Sequence, residues 1–245
     1  MNDHHFGFEK VSEKQKTKKV QSVFSLVANS YDLMNDVMSL GLHRLWKRQA
    51  ILLSGVRPGQ RVLDLAGGTG DLSSLLQKKV GATGEVILAD LNFEMLARGR
   101  DRLLNEGAAI CALQLNAEQL PFHAVSFDHV FMAFGFRNMT HQTKVLHECL
   151  RVLKPGAQLL ILEFSKPQNE YLEKAYDFYS FNILPKLGDL IAKDKDSYQY
   201  LVESIRMHPN QKKLQHMMSD AGFDAVEYFN LAGGIVAIHR GFKPY

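Results

Sequence analysis

A chain of 245 residues, 46% hydrophobic and 22% charged, has the make-up of a globular protein large enough to bury one substantial core. Its formal net charge of +3 gives no reason to expect a nucleic-acid partner, and no apolar run approaches the ~20 residues that span a bilayer. The N-terminus, with His4, His5 and mixed Lys and Glu, lacks the apolar core of a secretory signal, so a cytoplasmic protein is expected.

Residues 1–20 read as a basic flexible tail, in which Lys10, Lys14, Lys16, Lys18 and Lys19 outnumber Asp3, Glu9 and Glu13. Weak attraction of these lysines to an anionic membrane surface is the sharper alternative. From 21 to 245 a single catalytic domain is expected. It opens on a helical lid over about 21–55, where Val20, Val23, Phe24 and Val27 recur at helical spacing and Trp46 lies in a second apolar and basic segment.

The segment Val62-Leu63-Asp64-Leu65-Ala66-Gly67-Gly68-Thr69-Gly70-Asp71 is an apolar strand running into three glycines and then a helix over about 71–79. Such a loop admits a ligand close to main-chain N–H groups at the positive end of a helix. A dinucleotide fingerprint, G-x-G-x-x-G, does not fit either frame: one ends in Ser73, the other places Thr69 and Leu72 where glycines belong. A second strand, Glu85 to Asp90, ends in a carboxylate at the spacing of a ribose ligand. A third, near Ala109 to Leu115, runs into Asn116-Ala117-Glu118, and a fourth, Phe127 to Ala133, into Phe134-Gly135-Phe136-Arg137-Asn138. Four polar strand ends around one crevice are what an open parallel sheet offers a ligand.

An amphipathic helix over Thr143 to Leu153, stopped by Lys154-Pro155-Gly156, continues a strand–helix alternation that lasts to about Phe164 and demands parallel strands with helices on both faces. Residues 167–210 turn helical and aromatic and read as an inserted helical lid. Its cluster of Tyr171, Tyr176, Phe178, Tyr179 and Phe181 is core packing or the wall of an apolar channel. Phe223 to Phe229 and Gly234 to His239 read as a closing hairpin. Cys111 and Cys149 are expected as small buried hydrophobes in core elements. The ten histidines show no metal-ligand spacing such as H-E-x-x-H, and no metal is expected.

The runs Asp64-Leu-Ala-Gly-Gly-Thr-Gly70, Leu88-Ala-Asp90-Leu-Asn92, Asn116-Ala-Glu118, Leu120-Pro-Phe122 and Arg151-Val-Leu-Lys-Pro-Gly156 resemble class I S-adenosylmethionine-dependent methyltransferases. Over the chain from about residue 20 onward, Tyr31-Asp-Leu-Met-Asn-Asp36, His43-Arg-Leu-Trp-Lys47, Phe134-Gly-Phe-Arg-Asn138, Leu162-Glu-Phe-Ser-Lys-Pro167 and Tyr200 to Pro209 resemble the bacterial ubiquinone/menaquinone-biosynthesis C-methyltransferases. The resemblance implies a Rossmann-like α/β fold: a seven-stranded, mostly parallel sheet with an antiparallel C-terminal hairpin. It implies S-adenosylmethionine as methyl donor and a polyprenyl quinol as substrate. Contact with a membrane or a quinone-synthesis complex, and a homodimer, are compatible with it.

On this reading Asp64, Thr69 and the backbone of Gly67, Gly68 and Gly70 hold the amino-acid end of the cofactor. Asp90 takes the ribose, and Asn116 and Ala117 the adenine edge. Arg137 is expected to stabilise a phenolate-like ring oxygen or hold a water that accepts the ring proton, with Asn138 orienting a second oxygen and Tyr31 touching the ring. The competing reading of Arg137 is a salt bridge with Glu163. His43, Arg206 and His208 are further candidates for the border of the slot. Ala133, where many relatives carry serine, leaves only backbone for a cofactor contact. An NAD(P)-dependent oxidoreductase and a non-catalytic subunit of a quinone-synthesis assembly are the alternatives.

Overall fold

The computed structural model describes residues 4–28, 30–108, 110–186, 188 and 194–245. The described part of the expected tail carries regular structure. Strands β1 (His4–Phe6) and β2 (Glu9–Val11) form an antiparallel hairpin, and α1 (Glu13–Val27) begins at a Ser12–Gln15 capping box. Counting charges missed what anchors it. The Phe6 ring stacks on Tyr200 at 4.1 Å, and Lys16 Nζ donates to the Met139 carbonyl at 3.0 Å. Helices α2 (Tyr31–Ser39) and α3 (His43–Ser54) follow, joined through Leu40 and Gly41 in the left-handed region.

The central sheet is built from β3 (Arg61–Leu65), β4 (Glu85–Asp90), β5 (Cys111–Gln114), β6 (Phe127–Ala133), β7 (Leu153–Phe164), β8 (Asp224–Leu231) and β9 (Val236–Phe242). Its order is β5-β4-β3-β6-β7-β9-β8, parallel through β7 and antiparallel across β9 and β8. Successive residues of a strand point to opposite faces. Val62, Val86, Phe131 and Leu160 accordingly join one core layer with Trp46, Leu72 and Leu76, while Leu63, Ile87, Val130 and Ile161 join another with Val145, Cys149 and Leu214. The first layer is covered by the N-terminal helices and α4 (Asp71–Val80); the second by α6 (Gln142–Val152) and α9 (Gln211–Asp220). α5 (Phe93–Asn105) connects β4 to β5. The mainly apolar, doubly covered strands explain why the sequence reads as near-continuous hydrophobic runs.

Residues 167–210 contain α7 (Glu170–Phe178), a π-helical turn (Tyr179–Ile183) and α8 (Lys195–Met207). Of the expected lid, residues 187 and 189–193 lie outside the described residues, as do Ala109, at the expected start of the third strand, and residues 1–3 of the tail. Cys149 is buried, but Cys111 is exposed, because β5 is an edge strand.

β3 is the first strand of the large sheet and lies between β4 and β6, so the chain departs to opposite sides of it and leaves a crevice beyond its carboxyl end. Both walls of that crevice are strained. Ala66, following β3, and Phe134, following β6, hold φ of 56° and 61°. That region costs a residue with a Cβ roughly 1–2 kcal/mol. The two strand ends also press together, since a Cβ on Gly135 would lie 2.6 Å from the Cβ of Ala66. Gly135→Ala is expected to force them apart, destabilising the fold by about 1–3 kcal/mol and lowering the thermal midpoint by several degrees. Unchanged melting of the variant, followed by circular dichroism, would contradict the close approach.

Candidate active site

The crevice is a small cleft of ≈ 100 Å³, placed where open parallel sheets bind small molecules. Its lining comes from the ends of β3, β4, β5 and β6 and from the N-terminal helices. Of the residues expected from sequence it collects Tyr31, Gly68, Asp90, Asn116, Ala117 and Asn138. Asp90 is fixed at the end of β4, where Oδ2 accepts the Gly68 N–H at 2.9 Å and Oδ1 the Asn92 N–H at 2.8 Å. This ties the second strand end to the glycine loop. Burial raises the Asp90 carboxyl above the ordinary aspartate range, and those backbone N–H groups work in the opposite direction. Burial pushes the Tyr31 phenol up to about 12, so it stays a neutral donor.

Asn138 closes a short 3₁₀ turn, Phe136–Asn138, and its Oδ1 accepts from Tyr200 Oη at 2.8 Å. Occupying the amide oxygen leaves the amide nitrogen as the group available to donate. Sequence reading missed the apolar remainder of the lining: Val20, Phe24, Leu65, Leu91, Met95, Leu115, Phe134 and Met139. Met95 was the most legible of these, because it sits one turn into α5, whose Asn92 cap follows directly from Asp90.

Five expected residues lie outside the lining. Asp64 is fully buried beneath the loop, where its Oδ2 accepts from Ser73 Oγ at 2.6 Å and Oδ1 is without a partner. Gly67 is required there by close approach, since a Cβ would lie 2.8 Å from the Asp64 carboxyl carbon and 2.5 Å from Leu88. Thr69 Oγ1 donates to Asp32 Oδ1 at 3.2 Å, joining the loop to α2. Gly70, at φ 75°, is the cap of α4.

The fifth is Arg137, and here the competing salt-bridge reading describes the geometry. Its Nη1 lies 2.7 Å from Glu163 Oε1 in a pair whose side chains are 4% and 1% exposed. Nη1 also donates to the Phe134 carbonyl at 2.6 Å, Nε to Ser204 Oγ at 3.3 Å, and the backbone N–H to Glu163 Oε2 at 3.2 Å. Every one of these bonds is internal to the wall.

None of Tyr171, Tyr176, Phe178, Tyr179 and Phe181 lines the cleft either. Tyr176 is buried, Tyr171 and Phe178 are exposed, and Tyr179 Oη donates to the Val37 carbonyl at 2.7 Å. His43 is buried against Asp36, Arg206 pairs with Asp177, and His208 packs edge-on to Phe136. A network behind the loop holds the N-terminal helices in place: Lys47 Nζ lies 3.0 Å and Arg102 Nη1 2.6 Å from Asp71. Burial alone would raise the Asp71 carboxyl; the two cations outweigh it and hold it down to about 2.

The lining suits S-adenosylmethionine. Among the described lining residues there is one carboxylate, Asp90, and no Lys, Arg or His. The ionised Asp71 stands at the head of α4, where a pyrophosphate would need to bind.

Residues 11–243 match the model of the ubiE/COQ5 methyltransferase family. The chain belongs to that family. It is 57% identical over 99% of its length, and 98% of the relative's, to the ubiquinone/menaquinone biosynthesis C-methyltransferase UbiE of Methylococcus capsulatus. To the protein of the same name in Ectopseudomonas mendocina it is 61% identical, covering 98% of this chain and 94% of that one. Among solved structures, a SAM-dependent methyltransferase of Aquifex aeolicus matches with TM-score 0.62 at 21% identity, over 86% of this chain and 98% of that one. The fold is thus that of the class I methyltransferases, and this member of the ubiE/COQ5 family is a methyltransferase.

Burial pushes the Asp64 carboxyl up to about 6, against ~3.9 in an unfolded chain. A raised acid stabilises the fold fully below the unfolded value, and that contribution is lost as pH rises through the folded one. The ligand-free protein should therefore lose about 3 kcal/mol of stability from this group between pH 4 and pH 7. Asp64→Asn removes the titration, and denaturant unfolding across that range should show the corresponding flattening. An unaltered pH profile would count against the buried, half-partnered carboxyl.

Proposed function

We propose that this chain carries the methyl group of S-adenosylmethionine to a ring carbon of a polyprenyl benzoquinol or demethylmenaquinol, a step of the type that the relatives' names give, C-methylation in ubiquinone and menaquinone biosynthesis. The observation that carries the reading is that the described lining residues include one carboxylate and no Lys, Arg or His beside a glycine loop. A ligand with a cationic sulfur fits that charge balance. Among the described lining residues a phosphate-bearing dinucleotide would meet the Asp90 carboxylate and no cation, which disfavours an oxidoreductase.

In this reading Asp90 takes the ribose hydroxyls, and Asn116, Ala117, Leu91 and Met95 enclose the adenine. Tyr31, Asn138, Phe24, Phe134 and Met139 form the slot for the quinol ring. When bound, the cofactor supplies an already activated methyl electrophile, so the protein's task is alignment and exclusion of water. The ring carbon becomes a good nucleophile as negative charge develops on a hydroxyl oxygen. The Tyr31 phenol and the Asn138 amide nitrogen are neutral donors in the lining that would stabilise such an oxygen. On transfer the methyl–sulfur bond would break as the carbon–carbon bond formed, releasing the neutral thioether, and the ring would then lose its C–H proton. With Asp90 engaged by the ribose and by the Gly68 and Asn92 N–H groups, a water in the slot would take that proton. Arg137 serves as a positioning residue that holds the wall from which Asn138 projects.

A polyprenyl tail ties the substrate to lipid. We assign the membrane contact to the corner of α2 and α3, where Leu33, Leu40, Leu42 and Leu45 are exposed beside the exposed Arg44 and Arg48. No helix among the described residues is long and apolar enough to cross a membrane.

Mass spectrometry of lipid quinones from cells lacking the gene is expected to reveal a ring-demethylated quinone that disappears when the gene is restored. A normal profile, in cells shown to have no second such enzyme, would overturn the assigned substrate. Asp90→Ala should fail to restore the profile and should weaken binding of S-adenosylhomocysteine by about 1–3 kcal/mol through loss of charge-assisted hydrogen bonds. Unchanged affinity by calorimetry would remove Asp90 from the cofactor site.

A further inference from the structure

Away from the cleft, one group of side chains has the composition of a cation site. His4 opens the N-terminal hairpin, Glu13 is the first residue of α1, and His141 precedes α6. One donor atom from each lies within 4.8 Å of the other two. The His141 Nε2 is 3.1 Å from Glu13 Oε1 and 3.9 Å from Glu118 Oε2, and the two imidazoles meet edge to face at 5.0 Å. Glu118 is held in place because its other oxygen accepts the His141 backbone N–H at 3.0 Å.

We propose that His4, Glu13 and His141, with Glu118 or water in the fourth position, form a binding site for a divalent cation of the zinc class. Two imidazoles and a carboxylate are ligands that a borderline cation takes in tetrahedral array, whereas Mg²⁺ and Ca²⁺ select oxygen alone. Bound ligand atoms would stand about 3.3 Å apart, so donors now within 4.8 Å of one another need to close by at most about 1.5 Å. The ligands come from three separate segments, which is why no spacing motif marks them in the sequence.

The metal has no part in methyl transfer; it fastens the hairpin to the strand-end side of the sheet. The hairpin's Phe6 lies against Tyr200, and Tyr200 bonds Asn138 in the cleft wall. A cation at His4 would thus hold shut the strap that backs this wall. Without metal, the same groups are a histidine bridged by two carboxylates, and the two states are separable by experiment.

The test uses the full chain without an affinity tag, stripped with chelator, and Zn²⁺ titrated in competition with a chromophoric chelator. One equivalent per chain should bind at micromolar or tighter affinity and raise the thermal midpoint. His4→Ala and His141→Ala should each weaken that affinity tenfold or more and abolish the rise. Glu13→Gln, on an exposed side chain, should do the same without altering the metal-free midpoint, while His216→Ala, at an exposed histidine elsewhere, changes neither. Weak binding that survives the His4, Glu13 and His141 substitutions, or no binding at micromolar concentration, would overturn the site. Loss of activity on removing the gene's product from cells bears on the methyl-transfer reading and leaves this one to the titration.

Discussion

The buried pair of Arg137 and Glu163 is the constraint on which the cleft depends. Two opposite charges removed from water are tolerable only when they are closely paired and hydrogen-bonded, and in this pair the Arg137 Nη1 and Nε and both Glu163 oxygens find their partners within the wall itself. Arg137 bonds the carbonyl of Phe134, a residue in the left-handed region, while Glu163 accepts the backbone N–H groups of Arg137 and Phe164. The pair therefore joins the end of β6 to the end of β7, and through Ser204 to α8. Strain at Phe134 persists because these bonds over-determine the local backbone.

From that wall the working surface follows. Phe134, Gly135, Asn138 and Met139 all belong to the segment that the pair fixes, and all four line the cleft. On the facing side, Asp90 reaches across to Gly68 and sets the glycine loop at one height relative to β4. The Lys47, Arg102 and Asp71 network braces the loop from behind against the N-terminal helices. The cleft so held is apolar and almost uncharged. Alignment of a preactivated methyl group with a ring carbon asks for rigid placement and dryness more than for strong acids or bases.

Much of this was legible in the sequence, for identifiable reasons. Strand ends carrying Asp90, Asn116 and Asn138 fell where the hydrophobic runs stopped, because doubly covered parallel strands are mostly apolar and open to polar surroundings at their ends. The helix after Gly70 and the one before Lys154 followed from spacing and stop signals. The local motifs could not reveal where a long side chain turns. Arg137 adjoins Asn138 in sequence, yet the tight turn Phe136–Asn138 sends one to Glu163 and the other to the cleft. Asp64 alternates with Leu63 and Leu65 and so faces the side of the sheet under α4, away from the cleft. The hairpin at the N-terminus was hidden for a similar reason. Its lysines read as a solvated tail, and the Phe6 contact with Tyr200 joins residues far apart in the chain.

The most direct test is the double substitution Arg137→Gln with Glu163→Gln, compared with each single change in methyl transfer from S-adenosylmethionine to a demethylated quinol. Each single variant leaves one buried charge without its partner and should lose roughly 3–5 kcal/mol of stability along with activity. The double variant removes both charges and should regain stability and a large part of the single variants' lost turnover. A double variant that is as stable as the native protein yet as inactive as Arg137→Gln alone would show that the guanidinium acts on the reacting ring, and would contradict its assignment to the wall.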